Sequence, residues 1–164
     1  MSLDRIWADW RSAYVSAGDE ERERGCVMCN LVDATDDVEA LVLERTAETI
    51  TVMNLYPYGS GHLMVAPVRH EAAFDDLSDA DNIAIARAQL RALRAIRVAY
   101  RPDGVNVGAN LGRAAGAGVP GHLHVHLLPR WTGDTNFMTA VAEVRVLPES
   151  LRSGFDKLKS AWPR

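Results

Sequence analysis

The stretch HLHVHLL, residues 122–128, decides how the rest of the chain is interpreted. Its three histidines alternate with apolar residues at a strict period of two. Successive side chains of a β-strand point to opposite faces, so the pattern predicts a strand with one aliphatic face in the core and one face of imidazoles. Neighbouring imidazoles on that face would lie roughly 6 to 7 Å apart. One ligand could therefore contact all three of them: His122, His124 and His126.

Imidazole chemistry suits attack on phosphorus. One ring nitrogen can attack while the other holds a hydrogen bond that fixes the tautomer, so a positioned histidine needs no separate base. Flanking imidazoles can donate hydrogen bonds to oxygens on which charge accumulates. Two other interpretations stay open at this point. The histidines line a hydrated polar face, or their spacing places several imidazoles on a divalent metal ion.

The segment before the histidines, GANLGRAAGAGVPG at residues 108–121, is rich in glycine and alanine. Small residues allow backbone N–H groups to approach a phosphate closely. A glycine-rich loop alone is a weak signal. Directly before three histidines, it favours a phosphate-bearing ligand over a site that binds only metal.

Further from the histidines, short β-rich runs alternate with turn residues. Strands are predicted for ALVLE, TITVMN, GHLMVAPV and GVNVGAN, at residues 40–44, 49–54, 61–68 and 104–110, with HLHVHLLP at 122–129 as the fifth. Ser78 and Asp81 resemble a capping box and predict a helix over 79–100. Strands grouped with packed helices indicate an α+β fold built on an antiparallel sheet.

The two ends of the chain complete a single domain over residues 1–164. An amphipathic helix is predicted over 3–17, followed by a charged loop at 18–25 and a short turn at 26–31. The tail is predicted to be helical from about 148 to 162.

A net charge of −4 without a Lys/Arg block argues against binding of a long nucleic acid. The absence of a long apolar run and of a secretory start predicts a cytoplasmic protein that neither spans nor binds a membrane.

The two cysteines, Cys26 and Cys29, form a Cys-x-x-Cys pair. Two cysteines are too few for a disulfide scaffold. With one or two distant histidines, such a pair matches a tetrahedral zinc site in ligand type. A redox pair or two ordinary thiols are the alternatives.

Taken together, these motifs resemble the histidine-triad, or HIT, superfamily. HLHVHLL fits the family signature in full, and further segments that look like family motifs are NLYPYGSGHLMVAP at 54–67, NVGANLG at 106–112, PRW at 129–131 and GDTNFM at 133–138. The opening IWADWRSAY at 6–14 is most similar to bacterial members related to diadenosine tetraphosphate phosphorylase. The resemblance implies a homodimer whose two five-stranded sheets join.

The resemblance also implies an activity and roles for particular residues. His124 would be transiently nucleotidylated while a dinucleoside polyphosphate or a related adenylated compound is cleaved at its α-phosphate. Asn54 would bind the ribose and His62 would line the pocket, while the residues around the phosphates would be Asn110, Gly118 and His126. Zinc would be structural, and its four ligands would be Cys26, Cys29, His70 and His122.

One position departs from the family pattern. Many relatives carry Gln, Ser or Thr four residues before the first triad histidine, where this chain has Gly118. The missing side chain leaves open whether water or phosphate accepts the nucleotide. Two other functions are kept as alternatives, namely a non-catalytic nucleotide-binding regulator that acts through a protein partner and a zinc-dependent hydrolase that uses the triad as ligands.

Overall fold

The computed structural model describes residues 25–134 and 148–163. The helix predicted over 3–17, most of the charged loop at 18–25, and most of the GDTNFM segment lie outside the described residues. Within them, the helices and strands are α1 (Val27–Asp33), β1 (Val42–Arg45), β2 (Thr49–Met53), β3 (Leu63–Pro67), α2 (Asp79–Tyr100), β4 (Gly104–Ala109), β5 (Val125–Arg130) and α3 (Leu151–Ala161).

The five strands form one antiparallel sheet in the order β1-β2-β3-β5-β4. The predicted α+β class and five-stranded antiparallel sheet are thus confirmed. After β3 the chain runs through α2 to β4, and β5 then inserts between β3 and β4. As a result His126 of β5 is paired with Met64 on one side and with Gly108 on the other.

Helix α2 has the bounds that the sequence predicts. The Ser78 hydroxyl accepts a hydrogen bond from the Asp81 backbone N–H, and the Asp81 carboxylate accepts one from the Ser78 N–H. Each bond satisfies a donor that the first helical turn would otherwise leave unpaired. The buried residues of α2 recur at helical spacing and pack with α3 against one face of the sheet; they are Ile85, Ala88, Ala92, Ala95 and Ile96.

Helix α1 covers the opposite face of the sheet. Met28 lies in a second apolar cluster with alternate residues of the first three strands: Val42, Ile50, Val52, Met64 and Ala66. The prediction of a short turn at 26–31 is therefore wrong. Met28, Leu31 and Val32 have the i, i+3, i+4 spacing of a helix that buries one side.

Strand β5 begins at Val125, three residues later than HLHVHLLP predicts. The ladders to β3 and β4 both start at Val125, so the two preceding histidines have no strand partners. Instead, the Leu123 N–H donates to the Glu71 carbonyl. The prediction that all three histidines lie on a strand is wrong for this reason, since only His126 lies on β5. The predicted aliphatic face does enter the core, where Leu123, Val125 and Leu127 are buried together.

At the C-terminal end, helix α3 begins at Leu151 rather than near 148, because the Ser150 hydroxyl accepts from the Ser153 N–H and caps it. None of the helices in the described part of the chain is both long and apolar enough to cross a lipid bilayer.

Candidate functional site

His124 lies in the irregular backbone just before β5 and is 5 % exposed. Its Nδ1 is 2.8 Å from the carbonyl oxygen of His122. A carbonyl can only accept a hydrogen bond, so Nδ1 carries the proton. In the neutral ring, Nε2 then has a free lone pair, which is the form needed for nucleophilic attack.

A chain of three hydrogen-bonding groups fixes the proton positions of the neighbouring histidines. The backbone N–H of Tyr58 donates to His62 Nδ1 at 3.0 Å, which places the proton of a neutral His62 on Nε2. His62 Nε2 lies 2.9 Å from His126 Nδ1 and donates to it. His126 must then carry its own proton on Nε2. The chain ends in an N–H donor beside the proposed nucleophile.

The His126 ring remains neutral near pH 7. Burial lowers its pKa from 6.5 to about 4, and the adjacent His124 lowers it in the same direction. The two ring centroids are 5.0 Å apart with nearly perpendicular planes. A neutral His126 can donate to a phosphate oxygen without adding a positive charge beside His124.

His122 faces away from this pair toward the two cysteines. Its Nδ1 lies 3.4 Å from Cys26 Sγ and 3.6 Å from Cys29 Sγ, while His70 Nδ1 lies 3.2 Å from Cys29 Sγ. The ligand atoms of all four residues lie within 4.8 Å of one another. Partial burial, followed by the adjacent Cys26, raises the pKa of the Cys29 thiol.

The donor set and its geometry fit a zinc ion. Zn–S bonds of about 2.3 Å and Zn–N bonds of about 2.0 Å in a tetrahedron give a sulfur–nitrogen separation of roughly 3.5 Å. The sulfur–nitrogen separations of 3.2 to 3.6 Å in the cluster bracket that value. In addition, His122 Nε2 donates to the carbonyl of Pro67 at 2.9 Å, which leaves Nδ1 free to coordinate. The cluster can therefore hold a divalent metal.

The remaining predicted contact residues lie on both sides of the histidines. Asn54 Nδ2 is 3.4 Å from His62 Nδ1, and Asn54 Oδ1 accepts from a backbone N–H of the following turn. Asn110 directly follows β4, and its amide donates to the carbonyl of Gly116. Gly118 lies in the same loop, two residues further on. Their roles toward a nucleotide stay predictions.

Sequence reasoning missed two groups that set the state of the histidines. The Tyr58 N–H and the Pro67 carbonyl are backbone atoms, and no residue type marks them in a sequence. The Tyr58 ring, in contrast, lies 4.7 Å from the His62 ring and 5.8 Å from the His126 ring. The sequence feature that could indicate this contact is an aromatic residue four positions before His62.

Comparison with known proteins identifies the family. The HIT domain matches residues 35–133. The chain belongs to the HIT family. The AP-4-A phosphorylase of Mycobacterium tuberculosis is 37 % identical over 99 % of this chain and 86 % of its own length. The adenosine 5'-monophosphoramidase hnt1 of Schizosaccharomyces pombe is 26 % identical over 82 % of this chain and 96 % of its own length.

Solved structures agree with the family assignment. A Zn-bound histidine triad family protein from Mycobacterium smegmatis is 27 % identical, with a TM-score of 0.67 over 84 % of this chain and 93 % of that one. The resemblance to the HIT superfamily and to bacterial members related to diadenosine tetraphosphate phosphorylase is confirmed.

Proposed function

We propose that this HIT protein is a nucleotidyl hydrolase or phosphorylase that cleaves a dinucleoside polyphosphate, or a related adenylated compound, at its α-phosphate through His124. The hydrogen bond from His124 Nδ1 to the His122 carbonyl carries the proposal, because it places the proton of the neutral ring on Nδ1 and leaves the Nε2 lone pair of that ring available for attack. The name of the Mycobacterium tuberculosis relative supports the substrate class.

In the first step, the Nε2 lone pair attacks the α-phosphorus and the bond to the bridging oxygen breaks. The leaving group, which is a nucleoside polyphosphate when the substrate is a dinucleoside polyphosphate, departs with the electron pair of that bond. The imidazole gains positive charge as the nitrogen–phosphorus bond forms, and the His122 carbonyl, only 2.8 Å from Nδ1, stabilises that charge. The His126 Nε2–H donates to a non-bridging oxygen, on which negative charge accumulates.

In the second step, water or inorganic phosphate attacks the same phosphorus and the nitrogen–phosphorus bond breaks. The electron pair returns to His124 Nε2, and the acceptor releases its proton to solvent if it is water. Gly118 has no side chain that could position the acceptor. Backbone N–H groups of the loop at 108–121 are the remaining donors for this role.

Zinc is proposed as a structural cofactor, held by Cys26, Cys29, His70 and His122. When bound, the ion supplies four fixed bonds and has no open position for a substrate or water. Reduced thiols as ligands suit a cytoplasmic protein. Ligation would fix the backbone of His122, whose carbonyl in turn orients His124.

A homodimer with joined sheets is also proposed. Strand β4 is at one edge of the sheet that residues 25–134 and 148–163 form. Val107 of β4 is 47 % exposed and Leu111, just after it, is 45 % exposed. An exposed apolar edge strand favours pairing with another chain. Light scattering tests this, since the wild-type protein should have the mass of a dimer and Val107→Lys that of a monomer. A wild-type protein that is monomeric, like the variant, would contradict the proposal.

The chemistry is tested with His124→Asn and a panel of mononucleotides, adenosine phosphoramidates and dinucleoside polyphosphates. Turnover should fall by about four orders of magnitude while nucleotide binding is retained. A variant with undiminished turnover refutes the assignment. Running the panel with and without inorganic phosphate distinguishes phosphorolysis from hydrolysis. Acid-labile labelling of the wild-type protein by an α-labelled nucleotide is expected for the enzyme and not for a regulator.

A further inference from the structure

Helix α1, which carries Cys29 and follows Cys26, is weak by itself. It has seven residues, its N-cap Cys26 makes no side-chain cap hydrogen bond, and its last turn has no basic residue. Isolated helices of this length are unstable in water, because the first turn fixes several residues for few hydrogen bonds. Something outside the helix must hold it in place.

Besides the packing of Met28 on the sheet, Arg45 holds α1 at its C-terminal end. Its Nη1 donates to the Val32 carbonyl at 2.7 Å, and its Nη2 donates to the carbonyls of Leu31 and Ala34 at 2.9 and 3.0 Å. Carbonyls in the last turn of a helix have no partner within the helix. One guanidinium thus satisfies two of these carbonyls and that of Ala34, the residue after the helix, and it brings positive charge to the negative end of the helix.

The guanidinium itself is held firmly. Arg45 is the last residue of β1 and is paired with Ile50 of β2, so its backbone is part of the sheet. Its Nε donates to the Asp37 carboxylate at 2.6 Å, and its side chain is 28 % exposed. The planar fork of arginine makes several such bonds in one fixed geometry, which a lysine ammonium cannot reproduce.

We propose that Arg45 is a positioning residue for the metal site. It fixes α1 on the sheet before a metal binds, and so it holds the thiols of Cys26 and Cys29 at coordinating distance from His70 and His122. This inference rests on the proposed zinc site. It predicts that loss of the Arg45 guanidinium weakens zinc binding more than the loss of a similar arginine that stabilises the fold away from α1.

The chain contains a matched control. Arg91 of α2 donates from Nε to both carboxylate oxygens of Glu44, at 2.8 and 2.9 Å, and its side chain is also 28 % exposed. Glu44 directly precedes Arg45 in β1 and points to the opposite face of the sheet. Arg91 therefore anchors the same strand through an arginine–carboxylate pair, but on the face of the sheet opposite α1.

The test compares full-length wild type, Arg45→Lys and Arg91→Lys. Zinc affinity is measured by competition with a chromophoric chelator, and amide hydrogen exchange of residues 30–33 is measured in the metal-free proteins. Arg45→Lys should bind zinc about 10-fold more weakly, the lower end of the loss that follows removal of a group that orients a metal ligand, and should exchange faster in α1. Arg91→Lys should match wild type in both measurements.

Unchanged zinc affinity in Arg45→Lys overturns the inference, as does an equal loss in both variants. If the wild-type protein binds no zinc, the proposed zinc site itself is wrong, which is a different result. Should Arg45→Lys fail to fold, Asp37→Asn removes only the carboxylate that fixes the guanidinium. That variant should lose zinc affinity in the same direction by a smaller factor, and wild-type affinity in it would refute the role of Arg45.

Discussion

Acidification should destabilise the folded protein through His126. Its pKa is 6.5 in an unfolded chain and about 4 in the fold, where burial and then His124 disfavour the charged ring. The unfolded chain therefore binds the proton more readily between these values, so stability is fully present above about pH 6.5 and is lost as pH falls toward 4.

The size of the effect follows from the two pKa values. The whole difference of about 2.5 pKa units corresponds to roughly 3 kcal/mol. Between pH 7 and pH 5, about 2 kcal/mol of that should be lost, because the unfolded ring is almost fully protonated at pH 5 and the folded ring is not. This is a substantial part of the stability of an ordinary domain.

The assay is urea unfolding of wild type and of His126→Gln at pH 7 and pH 5. Glutamine can still accept the hydrogen bond from His62 but does not titrate. Between the two pH values, the free energy of unfolding of His126→Gln should therefore fall by about 2 kcal/mol less than that of wild type. Protonation of the cysteine and histidine ligands of the cluster is common to both proteins and cancels in the comparison. Equal pH dependence in the two proteins would refute the reasoning.

Three further substitutions have definite expected outcomes. Gly61→Ala should destabilise the fold by about 1 to 3 kcal/mol, because Gly61 has φ +73° and an added Cβ would lie 2.6 Å from the Tyr100 ring. Ser78→Ala should cost about 1 kcal/mol by removing the N-terminal cap of α2. His62→Phe should lower kcat on the order of 10-fold, since His126 loses the donor that fixes its tautomer.

Each of these has a control or a contradicting result. Gly104→Ala adds a Cβ with no atom within 4 Å, and thermal unfolding should separate it clearly from Gly61→Ala. A Ser78→Ala protein that unfolds at the wild-type urea concentration would contradict the capping argument. For His62→Phe, wild-type kcat in a protein with unchanged stability would show that the hydrogen-bond chain does not matter for turnover.

The features that sequence predicts well are the local ones. The limits of α2 follow from the capping box at Ser78 and from Pro102 beyond its end, both of which act within a few residues. The first four strands follow from apolar runs between turn residues. Helix α1 shows the opposite case, since seven residues beside a charged loop give too short a pattern to separate a turn from a helix.

Non-local partners explain what the sequence does not predict. Period-two alternation continues through residue 122, but a strand extends only where neighbouring strands pair with it, and both ladders stop at Val125. The metal-ligand set follows only from the family resemblance, since nothing local connects Cys26 with residues 44 and 96 positions away. The role of Arg45 is not visible in the sequence, because its main partners are carbonyl groups, which every residue has.

The orientation of the histidines has a consequence for how this site can evolve. The Tyr58 N–H directs the proton order of His62 and His126, and the His122 carbonyl directs that of His124. Both groups are backbone atoms, so a substitution at residue 58 or 122 leaves the N–H or the carbonyl in place as long as the backbone does not move. Proline at position 58 is the exception, because it has no N–H. Specificity around the pocket can therefore diversify among descendants while the direction of proton donation is inherited unchanged.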